Sequence, residues 1–207
     1  MIHGRALAVC ALLASACGAP AAIHDTLPPP PAEVSEVRRI TERDPRSGAI
    51  LREWEVLTLY EGKTVQHGRD LRWYPDGAKL SEASFRHGEP TGSMRRWYAN
   101  GQLKSECSFD PDGAITPMRF WHENGILAAE GGARSGHREG LWTFWYPSGS
   151  KREEGGFVDG ERSGLWSIHH VDGSLKSRGH YDDGVRIGPW SHYEEGRRPA
   201  SGSPSAQ

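Results

Sequence analysis

Five glycines, Gly77, Gly101, Gly125, Gly149 and Gly173, stand 24 residues apart, and Gly196 follows after 23. This period constrains the fold more than any other feature, because a fixed spacing of about 20–50 residues marks an array of stacked supersecondary units. Each of these glycines follows an aromatic or histidine pair: Trp73-Tyr74, Trp97-Tyr98, Trp121-His122, Trp145-Tyr146, His169-His170 and His192-Tyr193. Five residues after the glycine comes Glu82, Glu106, Glu130 or Glu154, and Arg178 breaks that series. Eight residues after it come Phe85, Phe109, Phe157 and Tyr181, with Ala133 the exception. Further glycines recur as Gly88 and Gly92, Gly136 and Gly140, Gly160 and Gly164, Gly184 and Gly188, and the last three pairs precede Trp142, Trp166 and Trp190.

Each unit is punctuated as a β-hairpin. Pro-Asp-Gly, Asn-Gly, Pro-Ser-Gly and Asp-Gly supply the positive φ of a tight reversal. In the fourth unit, Trp142, Phe144 and Tyr146 alternate onto one face of a strand, and Leu141, Thr143 and Trp145 onto the other. On the returning strand Phe157 shares a face with Gly155, and Glu154 points the opposite way. Ala83, Cys107, Gly131, Gly155 and Gly179 occupy one slot of the repeat, so Cys107 reads as a small side chain in a tight site. Hairpins of this size bury little alone and must stack on their neighbours. Two units depart from the pattern. Gly48 to Gly77 is 29 residues, so an insertion or distorted cap is expected over residues 54–68. In the third unit Asp112 shifts one glycine to Gly113 and Thr116 replaces the other, so its loop is expected to bulge.

The pattern G-x-W-x-x-W-Y-x-x-G followed by E-x-x-F-x-x-G-x-x-x-G resembles the MORN repeat in its bacterial variant, over residues 49–196. The resemblance implies an all-β fold: an elongated, twisted antiparallel sheet of about six successive hairpins, each 24 residues long. It also implies a scaffold or interaction surface without enzymatic activity. Related bacterial sequences are often labelled antitoxins of a toxin-antitoxin pair, which sits badly with the exported N-terminus read below.

Residues 1–16 carry one Arg, no acidic residue and an apolar run from Ala6 to Ala14, too short to span a bilayer, and read as a signal peptide. Leu13-Ala14-Ser15-Ala16-Cys17 resembles a lipobox whose Cys17 is acylated after cleavage, although Ala14-Ser15-Ala16 is also an ordinary A-x-A cut. Residues 17–48 have no aromatic residue and contain four consecutive prolines, Pro28 to Pro31, which reads as a tether partly in polyproline II. Residues 197–207 read as a disordered tail. The expected address is a bacterial envelope, anchored by lipid to the periplasmic side of the outer membrane, with secretion as the alternative. The 25 Lys and Arg against 27 Asp and Glu give a net charge of −2, which excludes the basic surplus of a nucleic-acid binder. A mean hydropathy of −0.66 excludes a polytopic membrane protein.

Little in the chain reads as chemistry. His169, His170, His180 and His192 invite a metal, but equivalent positions in adjacent units lie two strands apart, about 9–10 Å, and zinc ligands sit at about 2 Å. These histidines read as stand-ins for aromatics, with a cross-strand His170–His180 pair left open. The row Glu82, Glu106, Glu130 and Glu154 has the same wide spacing and reads as structural rather than catalytic, with Arg95, Arg96 and Arg119 as partners. No nucleophile elbow, zincin motif or phosphate loop occurs. No catalytic, cofactor or metal residue is expected. The aromatic row Trp73, Tyr74, Trp97, Tyr98, Trp121, Trp145 and Tyr146 is the candidate binding surface, set against the alternative that it forms the stacked core. The expected role is a non-enzymatic envelope lipoprotein that docks an unidentified protein partner, its only membrane link the lipid. A cell-wall glycan-binding module, or an antitoxin if the chain is not exported, are the alternatives. In a bacterial host the full-length protein should partition into detergent with a diacyl or triacyl mass shift on Cys17, and Cys17→Ser should abolish both; an unprocessed soluble chain would refute the anchor.

Overall fold

The computed structural model describes residues 36–59, 62–109 and 114–196. They form a single 13-stranded antiparallel sheet in which every strand pairs with its neighbours in sequence, with no α-helix among the described residues. The strands are β1 (Glu36–Arg43), β2 (Ile50–Thr58), β3 (Thr64–Trp73), β4 (Lys79–Arg86), β5 (Glu89–Trp97), β6 (Leu103–Phe109) and β7 (Ala114–Trp121). After them come β8 (Leu127–Arg134), β9 (His137–Trp145), β10 (Lys151–Val158), β11 (Glu161–His169), β12 (Leu175–Asp182) and β13 (Val185–His192). The all-β hairpin array expected from the repeat is therefore what the chain builds.

The sheet begins earlier than the tether boundary placed it. Glu36–Arg43 pairs along its length with β2, because an edge strand needs only backbone partners and tolerates full exposure. Its sequence EVRRITER is exposed at every position, and such charge discourages further pairing at an open edge. At the opposite edge β13 carries Pro189, which lacks the N–H another strand would use. Of the two forms expected for residues 54–68, the described part, residues 54–59 and 62–68, takes the insertion. The extra length sits in a longer hairpin, with Thr58 paired to Thr64 and a register shift between Trp54 and Val56. The signal segment, Cys17, the proline run, the expected bulge at residues 110–113 and the tail lie outside the described residues.

Two kinds of reversal alternate. The repeat glycines close turns in which Gly77 N–H donates to the Tyr74 carbonyl at 2.9 Å and Tyr74 N–H to the Ala78 carbonyl at 2.8 Å, a geometry repeated at Gly101, Gly125, Gly149 and Gly173. The second glycines close two-residue turns in which both residues have positive φ: His87-Gly88, Ser135-Gly136, Asp159-Gly160 and Asp183-Gly184. These are the primed turns whose twist matches that of paired strands.

Nearly all deep burial is on one face, the core face. Its densest part holds Trp142, Phe144, Phe157, Trp166 and Tyr181, extended by Met94, Cys107 and Met118. Trp142 and Trp166 are 1% and 0% exposed. A Cβ built on Gly131, Gly155 or Gly179 would overlap the indole of Trp142, Trp166 or Trp190 respectively. The small slot thus exists so that an indole can lie flat on backbone. Where the slot has a Cβ, at Ala83 and Cys107, the residue in the tryptophan position is Met94 or Met118, whose flexible thioether accommodates it. The indole N–H groups are satisfied too: Trp142 donates to the Gly132 carbonyl at 2.8 Å and Trp166 to the Gly156 carbonyl at 3.1 Å. At the N-terminal end Asp70 takes the tryptophan position and is 4% exposed. Burial opposes its charge, but hydrogen bonds from Arg52 and Arg72 outweigh burial and hold its pKa below the ordinary value.

Gly155→Ala should cost about 1–3 kcal/mol by overpacking. Combining it with Trp166→Met, which recreates the Ala83–Met94 pair, should cost less than the sum of the single changes; thermal unfolding of the four proteins of this cycle checks it, and additivity would refute the packing account.

Candidate protein-docking face

The opposite face carries the glutamate row and the tryptophans of the aromatic pairs. In β5 Arg95 lies across from Glu82 and Glu106 in the strand register. Its guanidinium reaches Glu106 at 2.7 Å and Glu82 at 3.6 Å. Arg119 pairs with Glu130 at 3.3 Å, and Lys79 and Lys151 reach Glu82 and Glu154 at 2.8 and 2.7 Å. The carboxylates are therefore rungs of a charge ladder across successive strands. Arg96, read as a further partner, points to the core face because neighbouring strand residues alternate. Such half-exposed pairs contribute little stability each, about 0–1 kcal/mol, but they stripe this face with alternating charge.

Trp73, Trp97, Trp121 and Trp145 are half-buried on this face, away from the Trp142–Trp166 core. The Lys79 ammonium sits 5.0 Å from the centre of the Trp97 ring. The second members of the pairs are differently committed. Tyr74 Oη donates to the Trp97 carbonyl at 3.0 Å, Tyr98 Oη to the Trp121 carbonyl at 2.8 Å and Tyr146 Oη to the His169 carbonyl at 2.9 Å. His122 and His170 make the same link to the carbonyls of Trp145 and Tyr193. The aromatic pair thus splits into a tryptophan on the face and a tyrosine or histidine that ties its turn to the next unit. Burial, then the nearby Glu123 charge, raise the Tyr98 pKa, which keeps the phenol a donor.

The two histidine positions in the tyrosine slot keep a hydrogen-bonding aromatic ring there. His180 lies across from Leu165 and Ile187 rather than His170. Among the described residues no three His, Cys, Asp or Glu side chains gather as a metal site requires.

Other structural residues were less legible. Glu153, beside the conspicuous Glu154, is buried and held by Arg152 at 3.1 Å and Arg162 at 2.8 Å. Arg138, Arg162 and Arg186 stack on Trp142, Trp166 and Trp190, with guanidinium carbons 4.6, 4.0 and 4.1 Å from the ring centres. The signal for this row is Gly-x-Arg-x-Gly, repeated at Gly136, Gly160 and Gly184.

The MORN repeat variant model matches residues 90–110 and 138–159. These segments run from β5 into β6 and from β9 into β10, each folding around one repeat glycine. At these two places the chain carries MORN repeats of the variant type. The repeating unit is thus the hairpin closed by the glycine turn, and neighbouring hairpins share the tie from a tyrosine or histidine to the next carbonyl. No curated protein matches the chain. Among solved structures, one similar chain belongs to the crystal structure of TcdB2-TccC3-Cdc42, at 11% identity and a TM-score of 0.23, covering 75% of this chain. The alignment spans 9% of that longer chain. Another is a protein of unknown function from Bacteroides fragilis NCTC 9343, at 8% identity and a TM-score of 0.16, covering 70% of this chain and 92% of that one.

Tyr98→Phe removes a single inter-unit hydrogen bond and leaves the Trp121 carbonyl without that donor, and should cost about 1 kcal/mol. Chemical denaturation reads the loss, and an unchanged midpoint would deny the tie an energetic role.

Proposed function

We propose that the protein is a non-enzymatic envelope lipoprotein whose MORN sheet serves as a docking scaffold for another protein. The observation that carries this reading is the row Trp73, Trp97, Trp121 and Trp145: half-buried, regularly spaced, and set among alternating charges on the face opposite the core. Large aromatics framed by polar groups are the side chains that concentrate binding energy at protein interfaces. The core does not require this row, since Trp142 and Trp166 fill that role. The non-enzymatic part is supported by the glutamates: Glu82, Glu106, Glu130 and Glu154 are all engaged by Arg or Lys. The envelope part rests on the signal-like N-terminus and Cys17.

Crosslinking of the full-length protein in bacterial cells should capture a discrete protein adduct. In the Trp97→Ala, Trp121→Ala double variant its yield should fall by at least about tenfold, as loss of two interface anchors implies, while circular dichroism stays unchanged. Absence of any adduct, or an undiminished adduct in the folded double variant, would overturn the docking reading.

A further inference from the structure

The tryptophans of the two faces differ in what they leave unused. Trp142 and Trp166 pack on Phe144 and Phe157, carry the guanidinium groups of Arg138 and Arg162, and donate their indole N–H to backbone carbonyls. Among the described residues no ring or cation stacks on Trp73, Trp121 or Trp145, Trp97 meets only the Lys79 ammonium, and none of the four indole N–H groups makes a hydrogen bond. The row therefore offers flat apolar rings and unused donors, because an indole nitrogen only donates. The charges beside it are paired with one another: Arg95 with Glu82 and Glu106, Arg119 with Glu130, Lys151 with Glu154. The segment that complements such a surface is uncharged, apolar and rich in acceptors. Proline meets all three conditions, with an apolar ring, a carbonyl and no N–H.

Spacing selects the conformation. Successive tryptophans are two strands apart, about 9.4–9.8 Å, and the same tyrosine or histidine tie joins each unit to the next. Polyproline II rises about 3.1 Å per residue with three residues per turn, so every third residue returns to one side after about 9.3 Å. A helix repeats its facing side chains every seven residues, about 10.5 Å, and drifts off the row. A β-strand turns residues three apart to opposite faces.

The chain itself contains such a segment. Pro28 and Pro31 end a run of four prolines and stand one polyproline turn apart. That run cannot lie on the row of its own sheet. Glu42 pairs with Arg52 and Arg52 with Arg72, so Trp73 lies roughly 23 Å along the strands from Glu36 and two strands over. The five residues from Pro31 to Glu36 span at most about 18 Å.

We propose that, when no other protein holds it, the tryptophan row is occupied by Pro28 to Pro31 of a second copy of this chain, with Pro28 and Pro31 on adjacent tryptophans. The inference rests on the docking reading and adds a regulation to it, because an incoming partner must displace the proline run. Polyproline II is ordered before it binds, so little conformational freedom is lost, and aromatic-lined surfaces take proline-rich segments in this form.

The test titrates a synthetic peptide of residues 27–33 into the isotopically labelled full-length protein and follows the indole N–H resonances. Shifts are expected at Trp73, Trp97, Trp121 and Trp145, and not at Trp142 or Trp166. Pro28→Ala with Pro31→Ala in the peptide should weaken binding by at least about tenfold, and Pro29→Ala with Pro30→Ala should weaken it less. In sedimentation the native chain should self-associate as its concentration rises. The Pro28→Ala, Pro31→Ala chain, altered only outside the sheet, should stay monomeric, as should Trp97→Ala, Trp121→Ala. Absence of shifts on the row, or equal binding of the two substituted peptides, would overturn the proposal. A peptide that binds while the native chain stays monomeric would overturn it too, and would give the row to a proline-rich segment of another protein. If the peptide fails but a tryptophan-dependent adduct forms in cells, the proposal falls and the docking reading stands; if both fail, both fall.

Discussion

An indole lying flat on a glycine is the contact on which this sheet depends. A single layer of hairpins has no second layer to bury against, so its apolar surface must be covered from within the same face. Trp142 over Gly131 and Trp166 over Gly155 do this. The ring spreads sideways across the neighbouring strand, Phe144 and Phe157 close against it, and a guanidinium covers the outer surface. Any side chain in the glycine slot would lift the ring and expose its edge. The methionine units show the alternative solution, a thinner and more flexible cover over a slot that has a Cβ.

The same layer is tied at both ends of its hairpins. At one end a tyrosine or histidine reaches the carbonyl of the next unit. At the other end the glycine N–H of a two-residue turn donates to the previous unit: Gly88 to the Gln66 carbonyl, Gly160 to Arg138 and Gly184 to Arg162, at 2.7–3.0 Å. These bonds run only between adjacent units, as the packing does. Stability is consequently a sum of local terms, and a change in one unit is felt mainly by its neighbours. That locality lets Thr143 and Ser167 interrupt the charge ladder without disturbing the Trp142–Phe157 core.

The two faces divide the work. One is closed by aromatic stacking and arginine caps. The other presents half-buried tryptophans between paired charges, the surface on which the proposed partner would dock. The tyrosines beside these tryptophans are committed to the sheet by their hydrogen bonds to the next unit.

The glycine period, the alternation along each strand and the glutamate–arginine pairing were legible because they depend on nearest neighbours: a turn needs its own positive φ, and a strand residue faces whatever its register sets opposite. The small slot at Gly131, Gly155 and Gly179 was visible as a pattern, but its cause was not, since the tryptophan that occupies it comes from the following strand. Edge strand β1 escaped notice because it contributes hydrogen bonds rather than apolar bulk, and hydropathy is blind to backbone pairing. The sequence by itself determined an all-β array of hairpins with a fixed spacing. Only the tertiary structure decided which tryptophan row is core and which is surface. That outcome turns on which face each side chain takes and on how far a flat ring or long guanidinium reaches across the sheet.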